Sequence, residues 1–527
     1  MKKWITTATA ASLLGLAIPA PLQPAAEAAK KSQTQAQLGS DIVLIPGISG
    51  SELTLNGQTI WPPNTQDPAT LKTQLGLVDV TAEGAGLPGI VPSNVTESYK
   101  LLAQTLSSGG YKVHVFPYDW RLDNAESAKQ LEAFIAAKGL KKFSVIAHSM
   151  GGLVAANYMA KAENRDKVNT FIALGTPFFG TAKTLWVMET GQFFNGGAQS
   201  FEMNQYLANL SRKMTSSYEL LPTRNYFTAV NNSYIETYTS ADSAVRDIKG
   251  YIETQAFLRQ QQWPILTKDG PSLAKTGFHL DKTAAFEKST NVAATLNAIK
   301  DKTYFIVGDK QETIGKIRKS YIQAPNQSTV QAASVVKRIS GDGTVPVQSA
   351  AVNKNKTYYT DAGHSGMVTD VNVAKQIVHI LLNSKKDILR KQPVQEQGEL
   401  KLTVSRSAEV HAFDAQSNHT GKLPAAGYYE EKIPNSMYYD NGIENTIFLA
   451  DGSYKAVLKQ TGNEPLRFTI EKYNAQNEIV QTIRFENVTV PTGGTAALQV
   501  GADAAPVLAV DENNDNIPDR IVQPANK

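Results

Sequence analysis

The stretch Phe143-Ser144-Val145-Ile146-Ala147-His148-Ser149-Met150-Gly151-Gly152 constrains the fold of this chain more than any other. A short apolar run, 143–147, leads into it, and Leu153, Val154, Asn157 and Tyr158 after it keep helical spacing. Ser149 therefore stands where a strand turns sharply into a helix, the setting of a nucleophile elbow. The requirement is steric. Small residues two before and two after the serine let strand and helix approach closely, and the helix N-terminus offers amides to an anion. Ala147 and Gly151 hold those positions. In isolation an ordinary Ser-Gly turn reads the same way, so the surrounding chain decides.

That chain keeps a strand–helix rhythm. The run 41–45 is short, branched and ended by Pro46-Gly47, as a buried strand would be, and Pro46-Gly47-Ile48-Ser49-Gly50-Ser51 follows at once. The loop after an early strand commonly donates one oxyanion N–H, and Ile48 is the residue expected there. A helix from Glu97 through Leu101, Leu102 and Leu106 stops at Gly109-Gly110, the run 111–116 alternates as a strand, and 125–138 repeats the helical pattern up to Gly139. Another strand, 168–174, ends in Gly175-Thr176-Pro177. Four strands separated by helices predict a doubly wound parallel sheet with Ser149 at its crest. Between Trp61 and Pro92 no period is sustained, so a long loop region is expected, in which Trp61 either packs or faces lipid. Asp119 and Arg121 read as a scaffolding pair.

The rhythm lapses at about 181–302, where Trp186, Phe193, Phe194, Phe201 and Tyr206 fall. Such an insertion is expected over the site as a cap or lid, its rings either meeting lipid or forming the cap's own core. The sheet resumes at 303–307, followed by Gly308-Asp309; Ser340-Gly341-Asp342-Gly343-Thr344-Val345-Pro346 is a further loop, and His364 lies between a short strand and the helix 371–382. A serine hydroxyl needs a base to take its proton, and the base needs an acid to fix its tautomer. The chain has seven histidines. His114 precedes the serine, and strand alternation points His148 away from the serine's face. His279 lacks a preceding strand, His379 lies inside a helix, and His411 and His419 fall in a different kind of sequence. His364 remains. The order Ser149, Asp342, His364 is that of an α/β-hydrolase fold. Asp309 is the rival acid; Asp342 is preferred because its loop stands closer before the histidine.

Pro46-Gly47-Ile48-Ser49-Gly50-Ser51, Phe116-Pro117-Tyr118-Asp119-Trp120-Arg121, Ala147-His148-Ser149-Met150-Gly151-Gly152, Gly175-Thr176-Pro177, Gly341-Asp342-Gly343-Thr344-Val345 and Gly363-His364, in that order, resemble the lecithin:cholesterol acyltransferase family. That family includes lysosomal phospholipase A2 and phospholipid:diacylglycerol acyltransferases. The resemblance covers about 41–389. It implies Ser149 as nucleophile, Asp342 and His364 as its partners, the amides of Ile48 and Met150 as an oxyanion hole, and a lid over a lipid-binding cleft. The chain has no cysteine, so the disulfides of animal members are absent.

Past 385 the helical period gives way to alternation (Leu400, Leu402, Val404; Leu466, Phe468, Ile470), with Asp451-Gly452 and Gly462-Asn463 as hairpin-type turns. The expected architecture is an α/β-hydrolase domain at 41–390, a C-terminal all-β sandwich at 395–500, and an acidic tail at 501–527. Within that tail, oxygen-bearing side chains alternate from Asp511 to Asp519 like part of a calcium loop, without its glycine or closing glutamate. At the other end, Met1-Lys2-Lys3, an apolar stretch and Ala26-Glu27-Ala28 read as a signal peptide over 1–28, followed by a linker at 29–40. No other stretch is apolar enough for a transmembrane anchor, so a secreted protein is expected, exported by a bacterium. A formal charge of +4 over 527 residues gives no argument for nucleic acid. The expected function is a secreted serine lipid esterase or O-acyltransferase working on a lipid or membrane-surface substrate, with no cofactor required and no metal assigned. The alternative is a non-catalytic cell-surface or binding protein on a hydrolase fold. Oligomeric state leaves no mark in the sequence.

Overall fold

The structure, a computed structural model, describes residues 40–63, 67–193, 201–239, 244–267, 269–322, 330–393, 398–423, 429–434, 436–440, 444–474, 479–501 and 506–525. The residues expected as a signal peptide, 1–28, and as a linker, 29–40, apart from Ser40, lie outside them.

Six parallel strands form the central sheet, in the order Thr357–Thr360, Thr303–Gly308, Val168–Leu174, Phe143–His148, Asp41–Ile45, Lys112–Val115. The inner strands Asp41–Ile45 and Phe143–His148 are buried along most of their length because helices cover both faces, which is why they read as apolar runs rather than alternating ones. From Asp41–Ile45 the chain steps outward to Lys112–Val115, then returns to the other side and proceeds the opposite way. The order therefore reverses between Asp41–Ile45 and Phe143–His148. A crevice opens at such a switch point, at the carboxyl ends of the strands. Ile45 pairs in register with Ala147, so the loop from Pro46 and the turn at Ser149 leave the sheet at the same level. This is the α/β-hydrolase arrangement expected from the sequence.

Two departures lie near the site. The region 61–92 is not all loop: Pro68–Leu77 is a helix, with the Asp67 carboxylate accepting from Thr70 N at 2.8 Å. Its signal was present as Asp-Pro, a cap followed by a residue suited to the first helical position, but the weak apolar period hid it. Trp61 is packed: it is 4% exposed, its ring lies 5.2 Å from that of Trp120, and its indole N–H donates to Ser49 O. The second departure is a long hairpin, Gln311–Ile322 with Val330–Gly341, between the resumed sheet and the Asp342 loop. It leaves the central sheet and pairs in parallel with Ile235–Thr239 of the 181–302 insertion, making a separate four-stranded sheet. The insertion is thus tied to the chain that follows it. Asp119 and Arg121 form the expected scaffold: the buried guanidinium binds both carboxylate oxygens and donates to the carbonyls of Val78 and Asp79.

The C-terminal part stacks a five-stranded on a seven-stranded antiparallel sheet around a core that includes Leu400, Leu402, Val404, Phe468 and Ile470. Asp451-Gly452 and Gly462-Asn463 are not hairpin turns. Each joins a strand of one sheet to a strand of the other, because the strands on either side bury their apolar faces from opposite sides of one core. The residues expected as an acidic tail supply two strands, Leu508–Asp511 and Arg520–Val522, to the larger sheet. In the turn between them, Asp511 accepts from the amides of Asn514 and Asn516, Asp515 from Ile517, and Asp519 from Glu512. These oxygens hold backbone, and among the described residues no group of three or more His, Asp or Glu is placed to hold a metal. The β part packs on the insertion: Trp186, fully buried, meets Tyr439 edge-on at 4.7 Å between centroids. Arg338 of the long hairpin reaches Glu399 at 2.9 Å and stacks on Phe448. Among the described residues no helix is long and apolar enough to cross a membrane.

Candidate active site

Ser149 ends the strand Phe143–His148 and precedes the helix Gly151–Ala160. Its φ is +53°, a left-handed conformation that is uncommon for a residue with a side chain and typical of strained functional turns. Its amide donates to Leu174 O at 2.8 Å, which anchors the turn to the neighbouring strand. A side chain at Gly151 would run into the carbonyl of Pro46, so the small residue expected two positions after the serine is required by close packing.

The loops from three strand ends converge on this turn. Ser149 Oγ lies 2.8 Å from His364 Nε2, and His364 Nδ1 lies 2.7 Å from Asp342 Oδ2. The carboxylate can only accept, so Nδ1 carries the proton and Nε2 is left to accept from the hydroxyl. The other oxygen of Asp342 accepts from the amides of Thr344 at 2.9 Å and Val345 at 2.7 Å. A further bond, from His364 N to Asp342 O at 2.8 Å, locks the two loops together. Gly175, at φ +52°, lies against this pair: a Cβ there would come within 2.8 Å of Asp342 Oδ2 and 3.3 Å of His364 Nδ1.

Asp309 is occupied elsewhere. Its oxygens accept from Arg390 at 3.0 and 2.6 Å, a pairing with a residue eighty-one positions away that nothing local in the sequence announces. Other histidines also have partners away from the serine: His114 with Asp41, His279 with Thr215 and Ala82, His379 with Ser384, and His411 with His419. The amides of Ile48 and Met150 flank Ser149 and make no hydrogen bond among the described residues. The preceding amide, Gly47 N–H, is taken by Tyr99 Oη at 3.0 Å.

His148, expected from strand alternation to point away from the serine's face, lies against His364 and lines the same cavity as Ser149. Its ring is 4.8 Å from that of His364, its Nε2 is 2.9 Å from His364 O, and its Nδ1 is 2.6 Å from Tyr99 Oη. Burial, with His364 beside it, pulls its pKa down to about 3, so the ring is neutral. Tyr99 is buried on the helix Glu97–Ser108, and burial pushes its phenol well above the ordinary range. The sequence reading missed both residues as parts of the site. The contacts join positions forty-nine residues apart or more, and no spacing rule encodes them.

A cavity of about 400 Å³ opens over Ser149 and His364, a size suited to a ligand. Trp61, Val187, Phe193, Leu207, Leu210 and Met214 give it an apolar side; Glu52, Thr96 and Ser98 line another part. Val187, Leu207 and Leu210 come from the helices Lys183–Thr190 and Phe201–Ser211, so the insertion does lie over the serine. Of its rings, Trp186 belongs to the core that the insertion shares with the long hairpin and the β part, Tyr206 packs against the core of the hydrolase domain, and Phe193 lines the cavity; Phe194 lies outside the described residues. Lys183 also lines it, and burial lowers its pKa to about 8, with Glu431 opposing.

Residues 89–395, more than half of the chain, match the profile of a family described as lecithin:cholesterol acyltransferase. The chain belongs to that family. The match takes in Ser149, Asp342 and His364 and begins after the Pro46–Ser51 loop. A lecithin-cholesterol acyltransferase-like 4 protein of Arabidopsis thaliana is 24% identical over 371 residues, covering 59% of this chain and 68% of that one. Membership puts the chain among acyl-ester hydrolases and acyltransferases. Among solved structures, a Tle4–Tli4 complex aligns at 13% identity and a TM-score of 0.44, over 67% of this chain and 99% of that one. Bacillus licheniformis lipase BlEst2 in its propeptide form aligns at 11% and 0.34, over 90% and 97%. At these scores neither adds to the family assignment or to the geometry.

Proposed function

We propose that this protein is a serine esterase or O-acyltransferase of lipid acyl esters, working through an acyl-enzyme on Ser149. One observation carries the reading: the unbroken chain Ser149 Oγ, His364 Nε2, His364 Nδ1, Asp342 Oδ2, with links of 2.8 and 2.7 Å, at the floor of a cavity with an apolar side.

In this reading His364 Nε2 takes the serine proton as Oγ attacks the ester carbonyl, and Asp342 steadies the imidazolium. The negative charge on the tetrahedral oxygen is met by the Ile48 and Met150 amides, donors that nothing else in the described structure occupies. The proton then passes from Nε2 to the leaving alcohol, and the acyl chain rests on the apolar side. Water or a second alcohol, activated by the same nitrogen, releases the acyl group. Every role is filled by a side chain or an amide, so the proposed reaction uses no metal or cofactor and proceeds in EDTA. Export follows from the N-terminal sequence pattern alone, and N-terminal sequencing of protein from the culture medium tests it: a mature chain beginning after Ala28 is expected.

The function is tested by incubating purified protein with phospholipid or triacylglycerol vesicles, with and without a sterol or diacylglycerol, beside Ser149→Ala. Acyl release or transfer that disappears in the variant is expected. Equal acyl turnover by both proteins refutes the enzyme reading, and good cleavage of a soluble short-chain ester with aggregated lipid ignored refutes the lipid assignment.

A further inference from the structure

We propose that Tyr99 and His148 are positioning residues that join the oxyanion loop to the loop of the catalytic base, so that both halves of the site hold one register. The inference rests on the function proposed above for Ser149 and His364.

The hydrogen-bond directions follow from chemistry. His364 O can only accept, so His148 Nε2, at 2.9 Å, carries the proton. A neutral imidazole then has a bare Nδ1, which must accept, and the Tyr99 hydroxyl at 2.6 Å donates to it. The phenol oxygen is left to accept from Gly47 N–H at 3.0 Å. The chain therefore runs one way, from Gly47 N–H through Tyr99 and His148 to the carbonyl of His364, with no donor or acceptor to spare. Both side chains are nearly sealed from solvent, Tyr99 at 6% and His148 at 4% exposed. The groups facing His148 are Tyr99, from the helix Glu97–Ser108, and His364, beside whose ring a second positive charge is disfavoured.

Each end of this chain bears on a reacting group. Fixing Gly47 N–H fixes the peptide just before Ile48, whose amide is aimed at the oxyanion. Fixing the His364 carbonyl sets the backbone from which the base reaches Ser149. Removing the phenol hydroxyl leaves Gly47 N–H and His148 Nδ1 buried without partners, while His148 Nε2–H keeps its bond to the His364 carbonyl. With both groups unpaired, the Pro46–Ser51 loop and the His148 ring lose the fixed positions from which they hold the Ile48 amide and the His364 backbone. Positioning errors of about 1 Å cost rates on the order of 100-fold.

The experiment begins with Tyr99→Phe, which keeps the ring and deletes only the hydroxyl. The Ser149-dependent kcat is expected to fall by roughly 10- to 100-fold with KM little changed, counted per active serine by titration with a fluorophosphonate. The acid limb of kcat/KM is expected to move to lower pH, because His364 then holds its proton less tightly against Asp342. His148→Gln, whose amide can still donate to the His364 carbonyl, should keep more activity than His148→Leu. Wild-type kcat and an unmoved acid limb in Tyr99→Phe overturn the proposal. A measurement on the unaltered protein judges it without any variant or substrate: 15N-histidine NMR should find His148 as the Nε2–H tautomer, not titrating between about pH 5 and 8. An Nδ1–H tautomer, or a titration in that window, refutes the relay even if lipid turnover fails to depend on Ser149; equal turnover by Ser149→Ala refutes the function alone.

Discussion

Exchanging Asp342 for Asn replaces one oxygen by an NH2 group at almost unchanged size, and the structure dictates which oxygen. Oδ1 accepts from two backbone amides, Thr344 at 2.9 Å and Val345 at 2.7 Å, and an amide nitrogen cannot accept there. The Asn carbonyl must therefore keep that place, and the NH2 faces His364 Nδ1, where Oδ2 stood at 2.7 Å. Two donors cannot share that contact, so the imidazole moves its proton to Nε2. That proton points at Ser149 Oγ, and the base can no longer accept. A wrong-tautomer change of this kind lowers kcat by about 10,000-fold, equivalent to about 5.5 kcal/mol of barrier. The fold should tolerate it, since both backbone bonds survive. The assay is kcat on a chromogenic ester per titrated serine, with thermal unfolding alongside. Asp309→Asn is the control: it breaks the Arg390 pair and should lower stability by about 1.5–3 kcal/mol while leaving kcat near wild type. A larger loss of kcat in Asp309→Asn than in Asp342→Asn refutes the reasoning.

Gly175→Ala forces a side chain into left-handed backbone, a penalty of roughly 1–2 kcal/mol, and presses it on Asp342 and His364. A lower Tm together with lost kcat is expected, and an unchanged kcat argues against the close packing of that pair. Trp186→Ala empties the contact with Tyr439 and should lower stability by about 3–5 kcal/mol, read by urea unfolding; an unaltered midpoint refutes a shared core between the insertion and the β part. Burial holds His279 down at about 4 in the folded chain against 6.5 when exposed. Between those values the unfolded chain binds the extra proton, so this histidine's contribution is complete above pH 6.5 and is lost as pH falls toward 4. Relative to His279→Gln, wild type should therefore lose about 1.4 kcal/mol per pH unit over that window, measured by urea unfolding at pH 6.5 and 5. A constant gap between the two proteins refutes it. The comparison with a variant is needed because Glu219, Glu287 and Glu399, pushed up by burial, carry the opposite sign in the whole protein.

The sequence by itself determined what depends on neighbours along the chain. The strand-to-helix turn at Ser149, the small residues beside it, the alternation of strands and helices, and the order Ser149, Asp342, His364 are all local patterns or successions of them. A buried parallel strand must be apolar, and a tight turn must have small residues, so these features could be read off directly. Local reading failed where the period was weak, as at Pro68–Leu77, or where a strand's partner lay far away. The paired strands Gln311–Ile322 and Val330–Gly341 join the insertion's sheet, and Leu508–Asp511 and Arg520–Val522 join the C-terminal one; pairing of that kind is decided by which edge is free, not by the strand's own residues. The sequence preferred Asp342 to Asp309 only because its loop stands closer before the histidine; the physical difference, that Arg390 holds one acid and His364 the other, lies in the tertiary structure. That structure alone revealed Tyr99 and His148 behind the base. A hydrogen bond between residues distant in sequence depends on the packing of whole strands and helices, and that is settled only when the sheet has closed around them.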